Sequence, residues 1–164
     1  MTRIDAREMA VRLCFGISDA EDPKEKLETF FDKEYYASLK EEDELYSSYP
    51  SAKQRYYISA VVEGCYEHKA ELDDIITANA KGWKINRISS VAVSILRTAL
   101  YEIIYMDDIP ASVSINEAVE LAKKYEEAQT VSFVNGVLGG YMRSNSEKEE
   151  EAPAKEVSDT ASED

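Results

Sequence analysis

The sequence predicts an all-α protein, and three observations carry that reading. Four prolines and six glycines in 164 residues leave long runs unbroken. Apolar residues recur at three/four spacing, and no window alternates in period two for long. One stretch, residues 91–106 (VAVSILRTALYEIIYM), is apolar or aromatic at twelve of its sixteen positions. A helix so nearly apolar all round belongs inside a protein or a bilayer. A bilayer span takes about 20 apolar residues, and this stretch carries Arg97 and Glu102. It is therefore expected to be the central core helix. Three of its exceptions, Ser94, Thr98 and Glu102, recur every four residues and form one narrow polar stripe.

The other elements follow in order. Residues 3–17 suit an amphipathic first helix burying Ala6, Met9, Ala10, Leu13, Cys14 and Ile17. Asp22-Pro23-Lys24-Glu25 opens a second helix, with an Asp cap, Pro at the first helical position and Glu at the third. It is expected to run through LETFFDKEYYASLK, burying Leu27, Phe30, Phe31, Tyr35 and Leu39. Ser51 to Gln54 is a capping-box pattern before an apolar stripe of Tyr57, Ile58, Val61, Val62 and Cys65. That pattern continues through Leu72, Ile75 and Ile76, so a bend is expected near Gly64 or around 67–70, and Gly82 suits a terminus. KGWKINRISS is a basic connection anchored by Trp83. Asp107-Asp108-Ile109-Pro110 stops the core helix. Ser114-Ile115-Asn116-Glu117 then reads as a capping box, with Val113 as a hydrophobic staple towards Ala118. Lys123 and Lys124 favour the C-terminal end of that helix. Thr130 or Ser132 can cap the last helix, which Gly139-Gly140 weakens and is expected to end.

Composition divides the chain into a helical domain, 1–143, and a tail, 144–164, too poor in apolar residues to order itself. The tail holds eight acidic and two basic residues, leaving −8 of the total −14 for the rest. An acidic domain argues against nucleic-acid binding driven by overall field, so any RNA contact needs a local basic patch or a basic partner. The N-terminus lacks the h-region of a signal peptide, which predicts a cytoplasmic protein with no membrane association. Cys14 and Cys65 then read as buried hydrophobes, and the single His68 builds no metal site. No phosphate loop, nucleophile elbow or metal-ligand spacing is present, so no catalysis and no cofactor are expected.

The blocks AREMAVRLCF, ELDDIITANAKGWKINRIS, ILRTALYEI, IPASVSINEAVELAKKY and FVNGVL resemble, in order and spacing, the bacterial transcription antitermination factor NusB family. The resemblance covers residues 3–140, with 18–55 matching only in helical character. A related domain precedes some rRNA cytosine methyltransferases, but no methyltransferase domain follows here. The resemblance implies a compact bundle of about seven helices in two small subdomains. It implies a factor that pairs with a NusE-type small-subunit ribosomal protein. Together they would bind boxA-like single-stranded RNA, join the elongating RNA polymerase complex and support rRNA operon transcription. It implies RNA contacts at Arg3, Arg7, Tyr125, Phe133 and Asn135, and partner contacts at Phe15, Arg87 and Ala92. Family members also dimerise through the partner surface, so a homodimer is the other state it implies.

Plainer readings stand beside these. Arg3 and Arg7 could be solvated charges offsetting Asp5 and Glu8, Phe133 plain core, and Tyr125 a cover for its helix end. Arg97 is expected to be buried and paired with Glu117 or Glu120, because a lone buried charge is costly. The chain also departs from the family. Ala92-Val93 stand where an acidic and a polar or basic residue are usual, and Glu126 and Ser132 replace a glycine and a lysine on the RNA path. These departures predict weak intrinsic RNA binding. The alternative is a helical protein-interaction module of the same fold that has lost RNA recognition.

Overall fold

The computed structural model describes residues 1–83 and 88–151, with side chains up to residue 146. The described residues form eight α-helices and one short 3-10 turn, with no strands. Helix α1 (Arg3–Gly16) opens on Thr2, whose side chain and backbone exchange hydrogen bonds with Asp5 in a capping box. Its expected inner face holds: Ala6, Met9, Ala10 and Leu13 are buried, with Cys14 and Ile17 half-buried beside them.

Asp22 caps α2 (Pro23–Phe31) as expected, but the helix does not continue to Leu39. It breaks at Asp32, whose carboxylate accepts the Tyr35 N–H at 2.9 Å and so starts α3 (Lys33–Leu39). The break resets the helical phase. Tyr36 turns inward at 2% exposure, while Tyr35, expected inside, is 44% exposed. Tyr36 then packs edge-on against Phe30, Tyr46 and Tyr49, and its hydroxyl donates to the Ser48 carbonyl at 2.9 Å.

Helix α4 (Ala52–Glu67) carries the expected Ser51/Gln54 capping box. The expected bend falls at His68, which separates α4 from α5 (Lys69–Ala78). Gly64 serves a different purpose. A Cβ there would stand 2.1 Å from the Tyr101 ring, so the glycine lets α4 press against the core helix. Gly82 lies beyond the end of α5 at φ 85°, a left-handed conformation that favours glycine.

The core helix is α6 (Ser90–Tyr105), capped by the Ser89 hydroxyl, which accepts the Ala92 N–H at 3.1 Å. The polar stripe of α6 faces inward: Ser94, Thr98 and Glu102 are all buried, with Glu102 at 0% exposure. Helix α7 (Ala111–Tyr125) begins on Pro110, four residues before the expected capping box. Ser114 is therefore not a cap. Its N–H already bonds to the Pro110 carbonyl, and its side chain is buried, donating to Glu102 at 2.8 Å. Val113, the expected staple, is 41% exposed.

Helix α8 (Ala128–Glu151) starts ahead of both cap candidates and passes through Gly139-Gly140 and Arg143 without ending. A Cβ at Gly140 would lie 2.7 Å from the Asn79 side chain, so that glycine permits close approach rather than termination. Residues 152–164, the greater part of the expected tail, lie outside the described residues.

All eight helices meet through α1, α4 and α6, which pack on one another. Helices α2 and α3 join on the α4 side, and α5, α7 and α8 on the α6 side. One polar knot ties this core. Glu102 accepts from Arg7 Nε at 2.7 Å, Arg7 Nη2 at 3.0 Å, Ser114 Oγ at 2.8 Å and the Tyr57 hydroxyl. The donors come from α1, α7 and α4, so a single carboxylate joins four helices. Burial opposes the charge on Arg7, but the Glu102 hydrogen bond and the nearby Tyr57, Glu102 and Glu117 outweigh it and raise its pKa. Arg97 is not the buried ion. It pairs with Asp73 at 2.7 and 2.9 Å rather than with Glu117 or Glu120, and both partners are part-exposed.

Glu102→Gln should therefore destabilise the fold by about 3–5 kcal/mol in chemical denaturation, because Arg7 would remain buried and unpaired. The double replacement Arg7→Met with Glu102→Leu should recover most of that loss. Asp73→Asn, at the part-exposed pair, should cost no more than about 1 kcal/mol.

Candidate nucleic-acid interface

The surface nearest to the expected RNA path is built where the outer face of α1 meets the end of α7. Glu8 is its centre, 5% exposed and surrounded by donors. Lys124 Nζ reaches its two oxygens at 2.7 and 3.0 Å, Arg12 Nη2 reaches one at 3.1 Å, and the Tyr125 hydroxyl donates to the same oxygen. Arg12 extends the network by donating to the Asp43 carboxylate at 2.8 Å, to the Tyr125 hydroxyl at 2.9 Å and to the Tyr46 hydroxyl at 3.3 Å. Its guanidinium also lies 5.7 Å from the Tyr46 ring centre and 5.9 Å from that of Tyr125, within cation–π range.

Charge balances within the cluster: two cations, Arg12 and Lys124, against two carboxylates, Glu8 and Asp43. Burial pushes the Glu8 carboxyl up, but the Lys124 and Tyr125 hydrogen bonds outweigh it, and its pKa falls below the usual carboxylate value. Asp43 is lowered by the Leu45 N–H and by Arg12. Burial, then the bond to Glu8, raises the Tyr125 phenol to about 12. Arg12 is held charged because its hydrogen bonds to Tyr46, Asp43 and Tyr125 exceed the cost of its burial.

The residues expected at the RNA surface separate into two groups. Tyr125 is 37% exposed and belongs to the cluster, and Asn135 is exposed on α8. Arg3 is half-buried, its guanidinium 4.4 Å from the Tyr57 ring centre. Arg7 is not on a surface. At 3% exposure it is committed to Glu102, so RNA cannot reach it in this conformation. Phe133 is core at 2% exposure, its ring 5.2 Å from Trp83, which anchors the connection as expected. Of the expected partner contacts, Phe15 is 54% exposed. Ala92 is 0% exposed, on the inner side of α6 with Ile95, Leu96 and Ala99, and offers no side chain to a partner. Arg87 lies outside the described residues.

Two features escaped the sequence reading. Arg12 was signalled only by its spacing of four from Glu8, a pattern shared by ordinary surface pairs. Glu126 does more than replace a family glycine. Its carboxylate accepts from the Ser89 hydroxyl at the start of α6, where a negative charge meets the positive end of the helix dipole.

Comparison with known proteins gives this arrangement its context. The NusB family model matches residues 4–143. Transcription antitermination protein NusB of Agathobacter rectalis is 42% identical over 143 residues, covering 86% of this chain and 99% of that protein. The same-named protein of Clostridium botulinum strain Kyoto is 41% identical over 140 residues, covering 85% and 98%. That of Ruminiclostridium cellulolyticum is 57% identical over 84 residues, 51% of this chain and 58% of the relative. Among solved structures, NusB of T. maritima superposes with a TM-score of 0.69 at 28% identity, covering 87% and 92% of the two chains. A chain in the crystal structure of a plectonemic RNA supercoil gives 0.65 at 25% identity, covering 87% and 95%.

Fold and matches together define a class: the all-helical, non-enzymatic transcription antitermination factors. The chain belongs to the NusB family.

The cluster has a pH signature. A lowered carboxylate pKa contributes stability that is present above the unfolded value, about 4.3 for Glu, and lost as pH falls through the folded one. Urea midpoints measured from pH 7 down to pH 3 should therefore fall as Glu8 and Asp43 protonate. Glu8→Gln should flatten part of that slope while lowering stability at pH 7.

Proposed function

We propose that the protein acts in the cytoplasm as a boxA-reading subunit. It pairs with a NusE-type small-subunit ribosomal protein, binds boxA-type single-stranded RNA with it, and joins the elongating RNA polymerase to support rRNA operon transcription. The observation that carries this reading is the Glu8–Arg12–Lys124–Tyr125 cluster. It puts tyrosine faces and two cations side by side on one surface, and single-stranded RNA is held by stacking on aromatics and by cations on phosphates. Phe15, 54% exposed and one turn beyond Arg12 on the same stripe of α1, supports an adjoining contact for the protein partner.

The same cluster supports a division of labour. Glu8 and Asp43 already occupy Arg12, and Glu8 occupies Lys124, so a phosphate must compete with a carboxylate for each cation. Binding by the protein alone is then weak, and a basic partner supplies the missing charge. The alternative, a protein-interaction module without RNA recognition, takes its support from this internal neutralisation and the acidic net charge.

A titration of boxA-like RNA with and without the cognate ribosomal protein separates the two. The expected result is weak binding alone and at least about tenfold tighter binding in the complex. The salt slope should be shallow, about −0.7 per phosphate contacted. Lys124→Gln should weaken the complex's RNA affinity without disturbing the protein–protein contact. RNA binding absent in both states, by a folded chain that still pairs with the ribosomal protein, would establish the alternative.

A further inference from the structure

Cys14 and Cys65 take part in none of the surfaces described above. They come together where α1 packs on α4, Cys65 buried and Cys14 half-buried, on the wall of one cavity. A cavity of about 30 Å³ lies beside them, lined also by Ile17, Tyr66, Lys69 and Arg97. That volume admits a molecule of about the size of water or hydrogen peroxide and little more. The connection after α1 crosses its mouth. Asp19 is fastened there by an ion pair from Lys69 and by the Tyr66 hydroxyl, which donates to the Asp19 carbonyl at 3.0 Å. Thr98 adds a polar atom from α6. Its buried Oγ1 has no hydrogen-bond partner among the described nitrogen and oxygen atoms, and it borders both thiols.

We infer that Cys14 and Cys65 form a peroxide-reactive dithiol, a covalent modification site at which a small hydroperoxide closes a reversible disulfide between α1 and α4. The two sulfurs have unequal roles. Cys14 is the more exposed of the two, and its contact with Cys65, then the nearby Thr98 and the Arg97 charge, favour its thiolate, whereas the contact with Cys14 and burial push Cys65 well up. The thiolate is the nucleophile in such chemistry, so Cys14 attacks first and Cys65 resolves.

In the first step the Cys14 thiolate attacks one oxygen of the hydroperoxide. The O–O bond breaks, the S–O bond of a sulfenic acid forms, and the departing oxygen takes up a proton to leave as water. In the second step the Cys65 sulfur attacks the Cys14 sulfur. An S–S bond forms, the S–O bond breaks, and the hydroxyl leaves as water with the proton given up by Cys65. Two thiols have lost two electrons, and hydrogen peroxide has been reduced to two waters. Thiol–disulfide exchange with an external dithiol restores the pair. The small volume of the cavity sets the oxidant class: a hydroperoxide fits, and a bulky disulfide such as oxidised glutathione does not.

The test uses the full chain, folded by circular dichroism, treated with hydrogen peroxide and then alkylated in denaturant. The expected product has lost both alkylatable thiols and the mass of two hydrogens. A non-reducing digest should contain one cross-linked species joining the Cys14 and Cys65 peptides, independent of protein concentration and reversed by dithiothreitol. With dimedone present, Cys65→Ser should trap a sulfenic acid on Cys14. Cys14→Ser should label Cys65 at least about tenfold more slowly. Oxidised glutathione should leave both thiols free. Three results would overturn the assignment: both thiols surviving peroxide, oxidation only to sulfinic or sulfonic acids, or cross-links only between chains. Glutathionylation of Cys14 would overturn the size selection. The wild-type mass measurement needs no variant, so it stands even if a serine replacement fails to fold.

Discussion

A buried carboxylate holds this molecule together. Glu102 has no exposed surface, and its two oxygens receive four hydrogen bonds from three other helices. Removing a charge from water is expensive, and the cost is offset only when geometry is good and every lone pair is used. Both conditions are met here. The fork of Arg7 spans both oxygens, and Tyr57 and Ser114 fill what remains. Because each donor belongs to a different helix, the knot fixes their mutual register as well as their contact. An apolar core of leucines and valines tolerates sliding; a carboxylate with four directional donors does not. The early start of α7 follows from the same constraint, since a helix already formed at Ser114 can turn that hydroxyl inward.

With Arg7 committed to the core, the outer surface of α1 depends on residues further along the helix. Glu8, buried beneath its partners, and part-exposed Arg12 meet Lys124 and Tyr125 of α7. The resulting surface is aromatic and charged but close to neutral. It is suited to recognising a ligand by shape and stacking more than by field strength. That property accords with the proposal that RNA affinity rests on an assembly, and it gives physical content to the chain's departures from its family. Glu126 shows how such a departure is absorbed: its charge is directed at the start of α6 rather than left free on the surface.

Much of the architecture was legible before any coordinates. The amphipathic pattern of residues 3–17, the Asp22-Pro23 start, the Ser51/Gln54 box and the apolar run of α6 are local signals, and the local backbone obeys them. The failures have local causes too. Asp32 sits in a continuous helical pattern, and only its cap to Tyr35 reveals a break. Gly139-Gly140 reads as a stop, yet glycine is also what close helix approach demands, and the Asn79 side chain against Gly140 decides between them. The candidate site was legible only in part. Tyr125 and Phe15 are exposed, whereas Arg7, Phe133 and Ala92 are interior.

Sequence by itself determined the class of fold, the central position of residues 91–106 and the family to which the chain is similar, because periodicity, caps and motif order are properties of neighbouring residues. Tertiary structure alone decided which arginine is buried in the core and which joins the cluster at the end of α7. Arg7 and Arg12 lie on one short helix with similar surroundings in the sequence, and nothing local distinguishes them. Their partners do: Glu102 is 95 residues from Arg7, and Tyr125 is 113 residues from Arg12. A charge takes its role from the groups that surround it in space, and those are chosen by the packing of the whole bundle.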